Sequence, residues 1–197
     1  MNKPAPMQLP LGTEETATAN ALRTGGIVLA GTLFLAACAH ISLPLYFTPV
    51  PLTVQPFAVL VLGLLLGPRM AFGTLLAYLA EGAAGLPVFA PSAAGVSGLA
   101  HLFGPTGGYL MAYPFAATLI SSLWRRGSRN FGMGLVSAAA GDALILTMGA
   151  VWLATWTHGS PLAVFTQAVL PFLPGEALKI AAAAGVAGGA SRLRRAN

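Results

Sequence analysis

Charged residues are scarce in this chain: only 8% of its 197 residues are Asp, Glu, Lys or Arg, whereas 56% are hydrophobic. Three long stretches contain no charged residue at all, namely residues 24–68, 82–124 and 143–175. A membrane-spanning helix needs about 20 mostly apolar residues, so each of the first two stretches is long enough for two spans. This composition excludes an ordinary soluble domain and predicts an integral membrane protein.

Two further absences narrow the class of protein. Cys38 is the only cysteine, so a disulfide within the chain is excluded. Its place in the first uncharged stretch predicts an inert, packed thiol. The sequence also has no G-x-x-x-x-G-K-[ST] phosphate loop, so the chain does not hydrolyse ATP in the manner of P-loop proteins.

The three histidines give no sign of a metal or catalytic site. His40, His101 and His158 are scattered at the predicted outer ends of helices, without the spacing of metal ligands. No serine or cysteine nucleophile motif accompanies them. We therefore expect no bound metal, no resident cofactor and no enzymatic activity, with an intramembrane enzyme as the alternative from another class.

Breaks of Gly, Pro and Arg divide the apolar sequence into segments of helical length. The segment that begins at Pro56 has only about a dozen residues, whereas a full crossing takes about 17 or more. The extended segment before it is therefore expected to complete the crossing. Residues 1–22 are polar and predict an N-terminal tail rather than a cleavable signal peptide, which leaves residues 23–195 as one six-helix transmembrane domain. The six predicted helices lie near residues 24–45, 56–67, 70–88, 105–124, 131–156 and 174–191.

The basic residues predict how these helices are oriented. With six spans, nine of the ten Lys and Arg residues fall on one side of the membrane. The opposite connections, residues 46–55, 89–104 and 157–173, contain none. Because cytoplasmic connections are enriched in Lys and Arg, both termini are predicted to be cytoplasmic. Lys179 is the exception, since it lies in the outer half of the last helix.

Four charged residues lie inside the predicted spans, namely Glu81, Asp142, Glu176 and Lys179. Ionisable groups at such depths are costly and usually face a cavity. Glu176 and Lys179 could simply pair across one helical turn. That pairing leaves Glu81 and Asp142 without partners, and solvation at the membrane interface is the alternative for each of them. We expect a binding cavity with carboxylate acceptors and one cation.

Prolines open the helices at Pro56, Pro105 and Pro174, in the first turn, where proline is best tolerated. All three helices run from the predicted outer side inward. Their unpaired N–H groups and positive dipole ends therefore face the outer half of the membrane, where they would attract an anion.

Two irregular segments are expected beside the same cavity. The prolines of residues 48–56 enforce extended backbone, which is tolerated at membrane depth where it lines a cavity or is buried in protein. Gly107 and Gly108, at the start of the fourth helix, allow a ligand or another helix to approach closely. The sequence does not separate these two roles.

Four motifs in the same order together resemble the BioY family of biotin transporters. They are PVPLTVQ ending at Gln55, GLPVF at 85–89, GPTGGYL at 104–110 and PFLPGEALK at 171–179. BioY proteins are the substrate-binding S components of energy-coupling factor (ECF) transporters. The resemblance implies six transmembrane helices in a bacterial cytoplasmic membrane and high-affinity capture of biotin from outside. It also implies association with a transmembrane coupling protein and paired ATPase subunits.

The resemblance implies roles for several residues. Lys179 would receive the carboxylate of biotin, and Glu176, where the family often has aspartate, would receive polar groups of the ligand together with Gln55. Tyr109 is also implied as a site residue. We add Asp142 and Glu81 as candidate site residues because they lie deep in the predicted spans. Gly107 and Gly108 are added because their N–H groups could bind an anion. Apolar walls are expected from Phe57, Phe89, Tyr109, Trp152 and Leu173, with core packing as the alternative for each ring. An S component for another vitamin is the alternative function.

Overall fold

Helices make up nearly all of the regular structure in residues 12–91 and 95–196, the part of the chain that this computed structural model describes. The only strands in these ranges, β1 (Ser42–Leu43) and β2 (Leu52–Thr53), form an antiparallel pair in which Ser42 faces Thr53. The helices are α1 (Gly12–His40), α2 (Gln55–Leu65), α3 (Pro68–Ala83), α4 (Leu99–Leu102), α5 (Gly107–Arg126), α6 (Phe131–Thr157), α7 (Pro161–Ala168) and α8 (Leu173–Ala196).

The six predicted helices correspond to α1, α2, α3, α5, α6 and α8, with shifted ends. α1 begins at Gly12, inside the segment predicted as a polar tail, and ends at His40 rather than near residue 45. Residues 1–11 of that tail lie outside the described ranges, and the domain boundary at residue 23 stays a prediction. α3 ends at Ala83 rather than near residue 88, because Gly85 takes a left-handed φ of 93° that stops the helix.

Two short helices, α4 and α7, occupy segments that were predicted only as connections. α7 begins at a capped turn, in which the Ser160 side chain accepts a hydrogen bond from the N–H of Ala163 and Pro161 takes the first helical position. α7 and α8 are bent by 49° relative to each other across a short break. Only a short turn, residues 169–172, therefore separates α7 from α8.

Within the described ranges, two helices are long and apolar enough to cross a membrane when judged by length and composition, α6 and residues Ala17–His40 of α1. A third qualifies if the bent pair α7 and α8 counts as one span. α2 has only 11 residues, as predicted, and residues 58–64 within it are all buried. Because α2 packs against α1, α5 and α8, its backbone is sheltered by protein along its short length.

The alternating directions of the long helices give the bundle two unlike ends. One end, named the cavity end after the cavity described below, holds the β1–β2 hairpin and the first residues of α2, α5 and α8. The arginine end holds Arg69 at the start of α3, Arg125 and Arg126 at the end of α5, and Arg129 in the turn between α5 and α6. The C-terminal half of α8 reaches the same end, where the hydroxyl of Ser191 donates to the carbonyl of Arg129 at 3.3 Å.

Candidate substrate-binding site

A cavity of about 520 Å³ lies at the cavity end, within the range of about 300–1,000 Å³ that is usual for small-molecule sites. The extended segment before α2 forms one side of it, through residues 48–51 together with Thr53, so the segment predicted beside a cavity does line one. The first turns of α2, α5 and α8 reach the wall, as does the middle of α6. Three helix N-termini therefore converge on one space. Pro56 and Pro174 lie in the first turns of α2 and α8 as predicted, whereas Pro105 precedes α5, whose N-cap is Thr106.

Asp142 and Glu176 form the charged part of the wall. Asp142 is 4% exposed and Glu176 is 3% exposed. Oδ1 of Asp142 and Oε2 of Glu176 are buried and have no hydrogen-bond partner among the described residues. A buried acceptor without a donor costs about 1–3 kcal/mol, so such groups call for a functional explanation. Both residues also line the cavity, so their carboxyl groups are the acidic groups in reach of a ligand.

Lys179 lies next to this pair but not in the wall. Its Nζ is 2.7 Å from Oε1 of Glu176, and its side chain is only 12% exposed. The pairing across one helical turn, which the sequence left open, is therefore present. Two carboxyl groups and one ammonium group meet at this corner, and no cluster of three His, Cys, Asp or Glu side chains in the described part of the chain suits a metal ion.

Gln55 and Tyr109 are the other predicted site residues in the cavity wall. Gln55 is 3% exposed and its Nε2 donates to the hydroxyl of Tyr78 at 2.9 Å. The hydroxyl of Tyr109 donates to the carbonyl of Ala168 at 2.7 Å, and its ring lies against Gly149, where any Cβ would overlap it. Because that hydroxyl is already engaged, Tyr109 offers mainly its ring to the cavity.

The other predicted residues lie outside the wall of the cavity. Phe89 packs edge to face on Tyr78, with ring centroids 5.4 Å apart, and so supports the wall from behind. Trp152 donates from Nε1 to the carbonyl of Gly104 at 2.8 Å, which ties α6 to the turn before α5. Glu81, Gly107 and Gly108, like Lys179, are absent from the lining.

Close packing explains Gly107 and Gly108, one of the two roles that the sequence left open. A Cβ at Gly107 would overlap the carbonyl oxygen of Leu102, and one at Gly108 would overlap the side chain of Trp152. These glycines let the start of α5 lie directly against α4 and α6. They therefore shape the cavity indirectly, by bringing its walls together.

Gly108→Ala is expected to lower the free energy of unfolding by about 1–3 kcal/mol, because the new methyl group would also lie 2.7 Å from the carbonyl oxygen of Met148. Gly185→Ala, on α8, is the matched control: no atom lies within 4 Å of its Cβ position. The control should gain about 0.5–1 kcal/mol from better helix propensity. Thermal unfolding of both variants in detergent checks the contrast, and equal shifts would contradict it.

Several wall residues were missed by the sequence analysis. Tyr113 follows Tyr109 by one helical turn, so the i, i+4 spacing could have placed both on one face. Phe172 lines the cavity whereas the predicted neighbour Leu173 does not. His101, predicted at an exposed outer end, is buried in the wall with Nδ1 3.2 Å from the carbonyl oxygen of Val96. No sequence signal distinguishes Phe172 from Leu173, since only the bend before α8 decides which one points inward.

Comparison with known families identifies the family of the chain. The model of the BioY family matches residues 13–196, nearly the whole chain. The chain belongs to the BioY family. The resemblance predicted from the four motifs is thereby confirmed, with the fold of a helical membrane protein that goes with it.

Relatives of this BioY chain are similar over most of their length. A protein of Pyrococcus horikoshii named "Probable biotin transporter BioY" is 40% identical over 135 residues, 68% of this chain and 76% of the relative. The biotin transporter BioY of Thermotoga maritima is 33% identical over 156 residues, 79% of this chain and 88% of the relative.

A solved structure of the S-component for biotin from an ECF-type ABC transporter has the same fold. The TM-score is 0.78 at 26% identity, and the match covers 90% of this chain and 93% of that one. Because the match spans both chains almost completely, the helical bundle of this BioY protein and that of the solved S-component correspond as whole domains.

Proposed function

We propose that this chain is the biotin-binding S component of an ECF transporter and that biotin occupies the cavity between the β1–β2 hairpin and the starts of α2, α5 and α8. The support comes from the BioY family match and from the solved S-component for biotin with the same fold. The structural observation behind the proposal is the pair of buried carboxyl groups of Asp142 and Glu176 in the cavity wall, each with one oxygen that has no hydrogen-bond donor among the described residues.

The chemistry of biotin is complementary to this cavity. One of the two N–H donors of its ureido group is assigned to the adjacent carboxyl groups of Asp142 and Glu176. Its ureido carbonyl and valerate carboxylate require donors or positive charge, which Lys179 and the N–H groups at the helix starts supply. Its thiophane ring and aliphatic chain pack on Tyr109, Phe172 and the prolines of the extended segment.

Lys179 has a double role in this proposal. The ammonium group compensates Glu176 through the ion pair of 2.7 Å, so that a second buried negative charge is tolerated beside Asp142. It is also the positive side chain nearest the cavity among the described residues, and so it attracts the valerate carboxylate. Glu81 is assigned no contact with the ligand, since it lies outside the wall.

We further propose six membrane spans with both termini and the arginine end in the cytoplasm. The support is the clustering of Arg69, Arg125, Arg126 and Arg129 at the end opposite the cavity. In bacteria the membrane is the cytoplasmic membrane, so the cavity opens toward the outside. The partners are a transmembrane coupling protein and paired ATPase subunits, which provide the nucleotide chemistry that the chain lacks.

Labelling with a membrane-impermeant maleimide tests the orientation. In a Cys38→Ala background, His158→Cys should react in intact cells, whereas Ser128→Cys should react only after the membrane is opened. Both positions are exposed, and native Cys38 is buried. Position 101 is unsuitable because His101 is buried. The reverse labelling pattern would contradict the orientation and the outward-facing cavity together.

Mass spectrometry of the purified chain tests the proposed ligand. Protein extracted from cells grown with biotin should release biotin on denaturation, and the emptied protein should bind added biotin without hydrolysing ATP. Release of a different vitamin would make the chain an S component for that vitamin. The family is one of transporters, in agreement with the prediction that the chain is not an enzyme. Catalytic turnover by the purified chain would contradict this.

A further inference from the structure

Tyr78 is the largest of the fully buried side chains and stands behind the cavity wall, on α3. Its hydroxyl donates to the carbonyl of Val88 at 2.6 Å and accepts from Nε2 of Gln55 at 2.9 Å. Gln55, unlike Tyr78, lines the cavity. A chain of two hydrogen bonds thus connects a cavity amide to the backbone of the loop after α3.

The direction of both hydrogen bonds follows from counting protons. A backbone carbonyl only accepts and a phenol has a single proton, so the proton of Tyr78 belongs to the bond with Val88. The phenol oxygen can then only accept from Gln55, which must turn its NH₂ group toward Tyr78. A reversed amide would place two acceptors, Oε1 of Gln55 and the phenol oxygen, against each other without a proton between them.

The carbonyl of Val88 is itself held in place. The next residue, Phe89, packs edge to face on Tyr78 and stacks near His101, with ring centroids 5.1 Å apart. The Phe89 ring lies directly over Gly82, where a Cβ would overlap it. The Val88 carbonyl is therefore part of a packed loop. Its fixed position keeps both hydrogen bonds, from Gln55 to Tyr78 and from Tyr78 to Val88, in one direction.

We propose that Tyr78 is a positioning residue: together with the Val88 carbonyl it orients the Gln55 amide so that Oε1 is presented to the cavity as an acceptor for a ligand N–H. No described residue donates a hydrogen bond to Oε1 of Gln55, and this oxygen is not enclosed by protein. The inference rests on the proposed function, because it takes biotin as the ligand. It assigns to Gln55 the ureido N–H that lies nearer α2. Selectivity for ligands with N–H donors then depends on a side chain that the ligand does not touch.

A double-mutant cycle tests the relation between Tyr78 and Gln55. In the native background, Tyr78→Phe removes the acceptor for Nε2 and frees the amide to turn its NH₂ group toward the ligand. Biotin binding should weaken by about 5- to 150-fold. In a Gln55→Met background, which has no amide to orient, the same substitution should weaken binding by less than about 2-fold. Equal weakening in both backgrounds would show a purely structural role for Tyr78 and overturn the proposal.

Tyr109→Phe is the matched control, since it also deletes a buried phenol that donates to a backbone carbonyl, that of Ala168. It has no bond to Gln55, so its effect on binding should be the same in the native and Gln55→Met backgrounds. Thermal unfolding of each variant verifies that binding is measured on folded protein.

A ligand series provides a test that does not require Tyr78→Phe to fold. Biotins methylated at one or the other ureido nitrogen lack one N–H each. The native protein should discriminate against both, and Gln55→Met should lose about 2- to 13-fold of the discrimination against one of them only. Unchanged discrimination against both would overturn the proposal. Failure of the native protein to bind biotin would instead refute the proposed function, so the two failures are distinguishable.

Discussion

Replacing Lys179 with alanine is expected to weaken biotin binding by about 30-fold to several thousand-fold, which corresponds to about 2–5 kcal/mol. The substitution leaves the carboxylate of Glu176 buried without its ion-pair partner and removes the positive charge beside the cavity. Isothermal titration with purified protein measures the loss. Arg192→Ala is the matched control, because it removes one positive charge from an exposed position of the same helix at the arginine end, and it should bind biotin as the native protein does.

Biotin amide separates an effect on the ligand's carboxylate from general damage to α8. The native protein should bind the amide much more weakly than biotin, because the charge attracted by Lys179 is gone. Lys179→Ala should bind both ligands about equally weakly, since the same interaction is not lost twice. If the variant is folded and binds biotin as tightly as the native protein, Lys179 only closes an ion pair at the helix start. The anion would then be held by helix N–H groups alone.

Asp142→Ala is expected to have opposite effects on stability and on binding. In the ligand-free protein Asp142 has a buried oxygen without a donor, and the neighbouring carboxyl of Glu176 adds like-charge repulsion. Removing this carboxyl should raise the free energy of unfolding by about 1–3 kcal/mol. Biotin binding should weaken by about 5- to 150-fold, because a ureido N–H loses its carboxyl acceptor.

Thermal unfolding without biotin and titration with biotin measure the two effects on the same preparation. Asp142→Asn is the matched control: it keeps the size of the side chain and one acceptor oxygen but removes the charge. It should bind more tightly than Asp142→Ala and more weakly than the native protein. A variant that loses stability and keeps its affinity would show that Asp142 supports the fold and does not contact the ligand.

Composition and spacing determined the class of the protein and its six main helices, and the resemblance of four motifs indicated its family. Long uncharged stretches imply spanning helices wherever they occur, and prolines at Pro56 and Pro174 mark helix starts through their own backbone geometry. The positions of Asp142 and Glu176 inside predicted spans were enough to indicate a cavity, because an isolated charge in an apolar environment is costly in any fold. Each of these inferences uses local physical chemistry, and each is visible in a single sequence.

The tertiary structure alone decided which of the candidate residues meet in the cavity. Gln55 and Tyr78 are 23 residues apart, and Tyr109 and Ala168 are 59 apart, so their hydrogen bonds exist only after the helices pack. Packing likewise placed Gly108 against Trp152 rather than in the cavity wall. A side chain's direction depends on the rotation and bend of its helix, which are set by the summed fit of many long-range contacts. Local sequence determines which groups are available, and only that fit determines which of them face the same space.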